Sequence, residues 1–194
     1  MNCLKYYVSA FLITTAIAIS GCSLSGGHDY NRLVKKELAK GTRSDSLFMG
    51  IYLGMPSKAF YAHCWELNKK GVFTNGSNNT SVLYKPGKDL KYQSSMNFYP
   101  DFHNDKIYKM RVTLNYDAWA PWNKSMGSDS LLVNTLNLFK TWYPGNPFLT
   151  IQDKNRGTIY VKVDGNRRII VGKYDDIRVK VDYTDVSVEK SLVK

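Results

Sequence analysis

The sequence predicts an α+β fold: an antiparallel sheet with two principal helices, in which a helix followed by strands is used twice. Three observations predict it. Lys106 to Tyr116 alternates, with Tyr108, Met110, Val112, Leu114 and Tyr116 on one face and Lys109, Arg111, Thr113 and Asn115 on the other. That period of two belongs to a half-buried strand. Two other stretches, from Ser57 to about Lys70 and from Ser128 to Tyr143, repeat apolar residues at helical spacing. Each is followed by a comparable run of strand-like sequence, positions 71–116 and 144–188, matched in element order and not in residue identity.

Taken in order, the elements have local causes. Ser23 to Ser46 is polar, with Gly near its start, and suits a tether. Within it Asp29 can cap a short helix from Tyr30 to Lys40 that stops at Gly41, with Leu33, Val34 and Leu38 as a narrow apolar stripe. Arg32, Lys35, Lys36, Lys40 and Arg43 crowd this helix, which either lies on anionic headgroups or packs on the domain. Phe48 to Leu53 reads as a strand. Gly54-Met55-Pro56-Ser57 turns into the first principal helix, with Phe60, Cys64 and Leu67 on one face and Gly71 as its stop. Strands are expected at Val72 to Thr74, Ser81 to Tyr84, Tyr92 to Tyr99 and Lys106 to Tyr116.

In the second half, Ser128 is placed to cap a helix whose Leu132, Leu136, Phe139 and Tyr143 recur until Pro144-Gly145 ends it. Strands at Thr158 to Val163 and Arg167 to Lys173 flank the turn Asp164-Gly165-Asn166. Ile177, Val179, Val181 and Tyr183 alternate with charged residues. The apolar phase then shifts to Val186 and Val188, which predicts a bulge or bend at Thr184-Asp185.

Composition bounds the function. The 194 residues include 27 Lys and Arg against 16 Asp and Glu, a net charge of +11, and 13% aromatic residues. A disordered or coiled-coil chain would not keep so many bulky apolar groups in water. Three Cys and three His match neither zinc-ligand spacing nor a disulfide framework, so no metal or cofactor is expected. The basic charge is spread along the chain, and no nucleic-acid site is expected.

The N-terminus carries the most specific motif. Lys5 precedes an uncharged apolar run from Tyr6 to Ile19, too short to span a bilayer, and the run ends Ile19-Ser20-Gly21-Cys22. This resembles the lipobox of bacterial lipoproteins. The resemblance implies that residues 1–21 are a signal peptide, that Cys22 becomes the acylated first residue, and that several lipid chains anchor the protein to the membrane. Ser23 stands where an Asp would favour inner-membrane retention in such lipoproteins, which implies the outer membrane. Loss of Lys5 leaves 26 cationic against 16 anionic residues, a mature charge of +10. Cys3 leaves with the signal and Cys22 is blocked, so Cys64 remains alone without a disulfide partner.

The stretch from Leu47 to Gly71, in which Gly54-Met55 leads into an amphipathic helix, resembles the opening of the BamE/SmpA group of small outer-membrane lipoproteins. That group has a hydroxyl residue where Pro56 stands and an acid where Ala59 stands. The repeated helix-then-sheet order is similar to the β-lactamase-inhibitor-like fold. The texture of Tyr52-Leu53-Gly54-Met55, Cys64 to Gly71 and Asp117 to Asn123 is similar to uncharacterised lipoproteins of Bacteroidota. In lipoproteins of that phylum, acids just after the lipidated cysteine accompany surface display; Ser23-Leu24-Ser25-Gly26-Gly27 has none, so the resemblance implies an anchor facing the periplasm.

Candidate chemistry is sparse. His63 and Cys64 are adjacent on a helix and point about 100° apart, so they cannot act as base and nucleophile together. A core role for Cys64 is expected. The pairs Asp101/Asp105 and Asp175/Asp176 fall in expected turns, where Asp caps the backbone. Trp119-Ala120-Pro121-Trp122 lies between the two halves. Trp119 and Trp122 form either an exposed platform for a partner protein or glycan, or a cover for the end of the core.

The expected organisation is therefore a signal peptide over 1–21, a lipidated tether over 22–46 and a single α+β domain over 47–194. The expected role is a non-enzymatic, outer-membrane-anchored lipoprotein whose periplasm-facing domain binds another envelope component, protein or glycan. The alternatives are a hydrolase acting on glycans or peptidoglycan, and a carrier of an apolar ligand.

Overall fold

Period-two alternation and tight turns assemble most of the chain into one antiparallel sheet. The computed structural model describes residues 26–76 and 80–192. Cys22 lies outside the described residues. In chain order the elements are α1 (Gly26–Ala39), α2 (Ser57–Lys69), β1 (Phe73–Asn75), β2 (Val82–Tyr84), β3 (Ser94–His103), β4 (Lys106–Tyr116), α3 (Ser128–Trp142), β5 (Leu149–Asp153), β6 (Gly157–Asp164), β7 (Arg167–Lys173), β8 (Arg178–Asp185) and α4 (Val186–Leu192). The eight strands lie in the order β1-β2-β3-β4-β8-β7-β6-β5. The fold is thus α+β with an antiparallel sheet; besides α2 and α3 the described residues contain α1, expected within the tether, and α4, an addition at the end of β8.

Hairpin turns set the register. Asn104 and Asp105 adopt positive φ, 47° and 62°, and join His103 of β3 to its partner Lys106 of β4 in a two-residue loop. Gly165 and Asn166 form the corresponding two-residue loop between Asp164 and Arg167. Gly165 has φ 55°, and a Cβ there would lie 2.5 Å from the Thr42 carbonyl oxygen, so glycine is required both by its conformation and by the passing chain.

One sheet face carries the main core. Met96 and Phe98 of β3, Met110, Val112 and Leu114 of β4, Val179, Val181 and Tyr183 of β8, and Ile169 and Val171 of β7 are all buried. Phe60 of α2 and Leu131 and Phe139 of α3 pack on them, with Leu47, Phe48, Ile51 and Leu53. Phe98 meets Phe48 and Phe73 edge-on, at 5.0 and 5.2 Å between ring centroids. On the opposite face Ile159, Val161 and Val163 of β6 form a smaller core with Val34 of α1 and Val186 of α4. Because β6 is covered on both faces, it loses the clean alternation of β4.

The segment that follows α1 is tied to the β6–β7 turn. The Glu37 carboxylate accepts a hydrogen bond from the Gly165 amide at 3.0 Å and pairs with Lys40. Ser44 N–H donates to the Asn166 side-chain oxygen, and Asn166 Nδ2 donates to both Asp45 and Asp185. Arg43 bridges Asp45 and Asp185, and Arg167 donates to the Ser46 carbonyl.

Several elements differ from expectation for identifiable reasons. Phe48 to Leu53 is a tight loop and not a strand: Met49 and Gly50 take positive φ, Leu47 N–H reaches the Ile51 carbonyl, and a single bridge links Ser46 to Tyr52. Helix α1 starts earlier than Tyr30, with Asp29 in its first turn rather than at its cap. Gly127 occupies the cap position of α3, and Ser128 is its first residue, buried. Strand β5 is an addition to the expected strands: Leu149-Thr150-Ile151-Gln152 alternates at the strand period and pairs with β6. The phase shift after Tyr183 marks the end of β8 and the start of α4. There the Asp185 carboxylate accepts from the Ser187 and Val188 amides, as an N-cap does.

Burial by itself would raise the Glu37 pKa, but the hydrogen bonds from Lys40, the Gly165 amide and Asn146 outweigh it and lower the value from 4.5 to about 2. A depressed folded pKa stabilises the fold above the unfolded value of 4.5, and this contribution is lost as pH falls through about 2. Glu37→Gln should therefore cost roughly 1–3 kcal/mol in urea unfolding at pH 7. The gap should shrink towards zero near pH 2; an equal gap at both pH values would refute this role.

Candidate functional site

The alternation that buries one face of β3, β4 and β8 presents the other. Cross-strand register sets three rows on it: Asn97, Thr113 and Lys180; Ser95, Asn115 and Arg178; Tyr99, Arg111 and Asp182. Helices α1 and α4 pack on this same side of the sheet, but over β5, β6 and the end of β8. The part over β3 and β4 stays uncovered. A groove of about 570 Å³ runs there, with Asn97, Thr113 and Asn115 along it and Tyr174 and Lys180 at one side. Tyr174 and Lys180 also line an adjoining groove of about 390 Å³ that includes Ile159, Ile170 and Gly172. A Cβ on Gly172 would stand 3.0 Å from Ile159 Cγ2, so glycine leaves room beside that apolar floor.

Charge around the groove is paired. Arg111 meets Asp101 at 2.6 Å, Arg178 meets Asp175 at 2.5 Å, and Lys180 lies 3.7 Å from Asp182. The Arg178 guanidinium also sits 4.5 Å from the centroid of the Tyr174 ring. Partial burial would raise the Asp175 pKa, yet Arg178 and the amides of Ile177 and Arg178 lower it, so this carboxylate is ionised at neutral pH. With cations matched by acids, the field is mixed, and the amides of Asn97 and Asn115 and the hydroxyl of Thr113 supply neutral donors and acceptors. Such a surface suits sugar hydroxyls or peptide groups better than a bare anion.

The sequence-predicted residues are dispersed. Trp122 is 86% exposed, while Trp119 is half-buried, so the two indoles do not share one environment. Both sit in the loop that leaves β4 just beyond Asn115. Asp101 is paired with Arg111, and Asp105 accepts from the Ser57 hydroxyl at the start of α2. His63 Nε2 bonds to the Met49 carbonyl at 2.7 Å. Cys64 packs against the main core, and burial pushes its thiol from 9 up to about 11. Among the described residues no group of three or more His, Cys, Asp or Glu side chains is placed to hold a metal.

One aromatic surface went unnoticed in the sequence. Trp65 and Tyr61, one turn apart on α2, are 62% and 49% exposed. The Tyr61 hydroxyl lies 2.9 Å from that of Tyr99, and this hydrogen bond is the chief cause that pushes Tyr61 up to about 12. The signal was present as an i, i+4 aromatic pair beside the Phe60 face. The groove was legible in part, as the polar positions of β4 and β8.

The raised Cys64 pKa predicts slow chemistry. In a chain of residues 22–194 carrying Cys22→Ser, folded protein at pH 7.5 should react with iodoacetamide about 100-fold more slowly than the same chain in urea, given the smaller thiolate fraction. Equal rates would show an accessible, ordinary thiol. No family model, no curated protein and no solved structure matches this chain.

Proposed function

We propose that the chain is an outer-membrane lipoprotein anchored through Cys22, with a non-enzymatic, periplasm-facing domain that binds another envelope component on the open face of its sheet. The observation that carries this reading is the uncovered row of Asn97, Thr113 and Asn115 between β3 and β4, polar and groove-forming, on a sheet whose other face is packed. Trp122, highly exposed in the loop that follows β4, is a separate candidate aromatic anchor for a partner. Asp101, Asp105 and Asp175 are engaged with arginine, a hydroxyl or backbone amides, which supports binding over hydrolysis.

We further infer that the fold consists of two helix-then-sheet units, α2 with β1–β4 and α3 with β5–β8, joined along β4 and β8. This order supports the likeness to the β-lactamase-inhibitor-like and BamE/SmpA groups.

Two measurements test the proposal. Cys22→Ser should abolish fatty-acid labelling and release the protein from membranes; a labelled, membrane-bound variant would sink the anchor. A photocrosslinker at Thr113 should form a discrete adduct in the native envelope, and one at Val133, exposed on α3 away from the groove, should not. Absence of an adduct at Thr113 would remove the groove as the binding surface.

A second reading, the apolar-ligand carrier, draws on a groove of about 450 Å³ beside the end of α3, where Leu136, Phe148 and Tyr160 face Pro144 and Pro147. A carrier would take up a fluorescent fatty acid, and Leu136→Trp would block uptake. No uptake by the unsubstituted protein retires this reading.

A further inference from the structure

Helix α1 is divided lengthwise. Tyr30, Val34, Glu37 and Leu38 face the sheet, where Val34 joins the β6 core and Glu37 holds the Gly165 amide. Arg32, Lys35 and Lys36 recur at i, i+3 and i+4 on the exposed side. Lys190 of α4 adds to them, since Lys35 and Lys190 line the same shallow groove between the two helices. The acids nearby are engaged: Asp29 lies 3.7 Å from Arg32, Glu37 pairs with Lys40 and Glu189 pairs with Arg168. Among the described residues no salt bridge reaches Lys35, Lys36 or Lys190.

We propose that this outer face of α1 and α4 docks on anionic lipid headgroups and holds the domain flat against the bilayer. The proposal rests on the lipid anchor inferred above. Only Ser23, Leu24 and Ser25 separate Cys22 from Gly26, the first residue of α1. Four Cα steps span at most about 14 Å, so the helix begins at the headgroups. Were α1 to stand upright, its rise would carry Lys35 and Lys36 roughly 14 Å further from the surface. That exceeds the Debye length of about 8 Å at physiological salt, and their attraction would be screened. Lying flat brings all the cations to the surface at once. Because α1 packs on the same side of the sheet as the Asn97–Thr113 groove, docking turns that groove towards the membrane, and its ligand is met at the bilayer surface.

The test uses the mature chain with Cys22→Ser, so that lipid does not mask the weaker contact. It should sediment with vesicles of 30% phosphatidylglycerol in phosphatidylcholine at low salt, and with neither pure phosphatidylcholine vesicles nor anionic vesicles at 0.5 M salt. Lys35→Ala/Lys36→Ala should lower the partition coefficient about 30-fold, since each basic residue near an anionic surface contributes roughly fivefold. Lys69→Ala/Lys70→Ala, at the end of α2, should leave it within about twofold, although it removes the same charge. Failure to bind anionic vesicles, equal binding to neutral ones, or equal loss from both lysine pairs would overturn the proposal. None of these outcomes touches the Thr113 crosslink or fatty-acid labelling at Cys22, so the docking surface and the envelope-binding reading can fail separately.

Discussion

The ladder between β4 and β8 places Met110 opposite Tyr183, Val112 opposite Val181 and Leu114 opposite Val179, all buried. Each such side chain contributes roughly 1.5–3 kcal/mol on leaving water. Without this pairing, two four-stranded sheets would each expose a long edge and half of an aromatic core. The same ladder seats Thr113 beside Lys180 and Asn115 beside Arg178. Core and groove are thus two faces of one register: slipping it by one residue would expose Val181 and bury Lys180.

A second constraint ties the N-terminal segment to that sheet. Asp164, Arg167, Asp185 and Glu37 are buried charges, which persist only when paired and hydrogen-bonded. Arg43, Asn166, the Gly165 amide and the Ser46 carbonyl supply partners for Asp185, Glu37 and Arg167, and Lys162 and the Asn146 amide for Asp164. Arg167 also lies 4.6 Å from the centroid of the Tyr143 ring, whose hydroxyl donates to the Leu47 carbonyl and lies 3.1 Å from that of Tyr183. Burial raises the pKa of both tyrosines, so they remain neutral and serve as hydrogen-bonding groups inside the core. Through this chain of contacts α1 becomes part of the folded body, and its outer cations are held in one orientation.

Legibility followed the range of the interactions involved. Helices α2 and α3 and strands β3, β4, β6, β7 and β8 were readable because their signals are local: apolar spacing, Gly71, and the Asp164-Gly165-Asn166 turn. The Leu47–Leu53 loop is apolar because it plugs the core; pattern alone cannot separate a plug from a strand. Helix α4 hid behind a strand-like phase shift whose cause, the Asp185 cap, is itself local. Trp119 is half-buried and Trp122 exposed, and no spacing rule reports which of two nearby indoles is covered.

By itself, the sequence determined the α+β class, most strand and helix positions, the lone core cysteine and the resemblance at Cys22 that motivates a lipid anchor. All of these depend on residues near one another along the chain. Only the tertiary structure decided that β4 pairs with β8, that the groove lies on the uncovered half of one face, and that α1 turns Glu37 inward and Lys35 and Lys36 outward. Those facts join residues as far apart as Glu37 and Gly165, and they are settled by which surfaces can be buried together and not by any local preference.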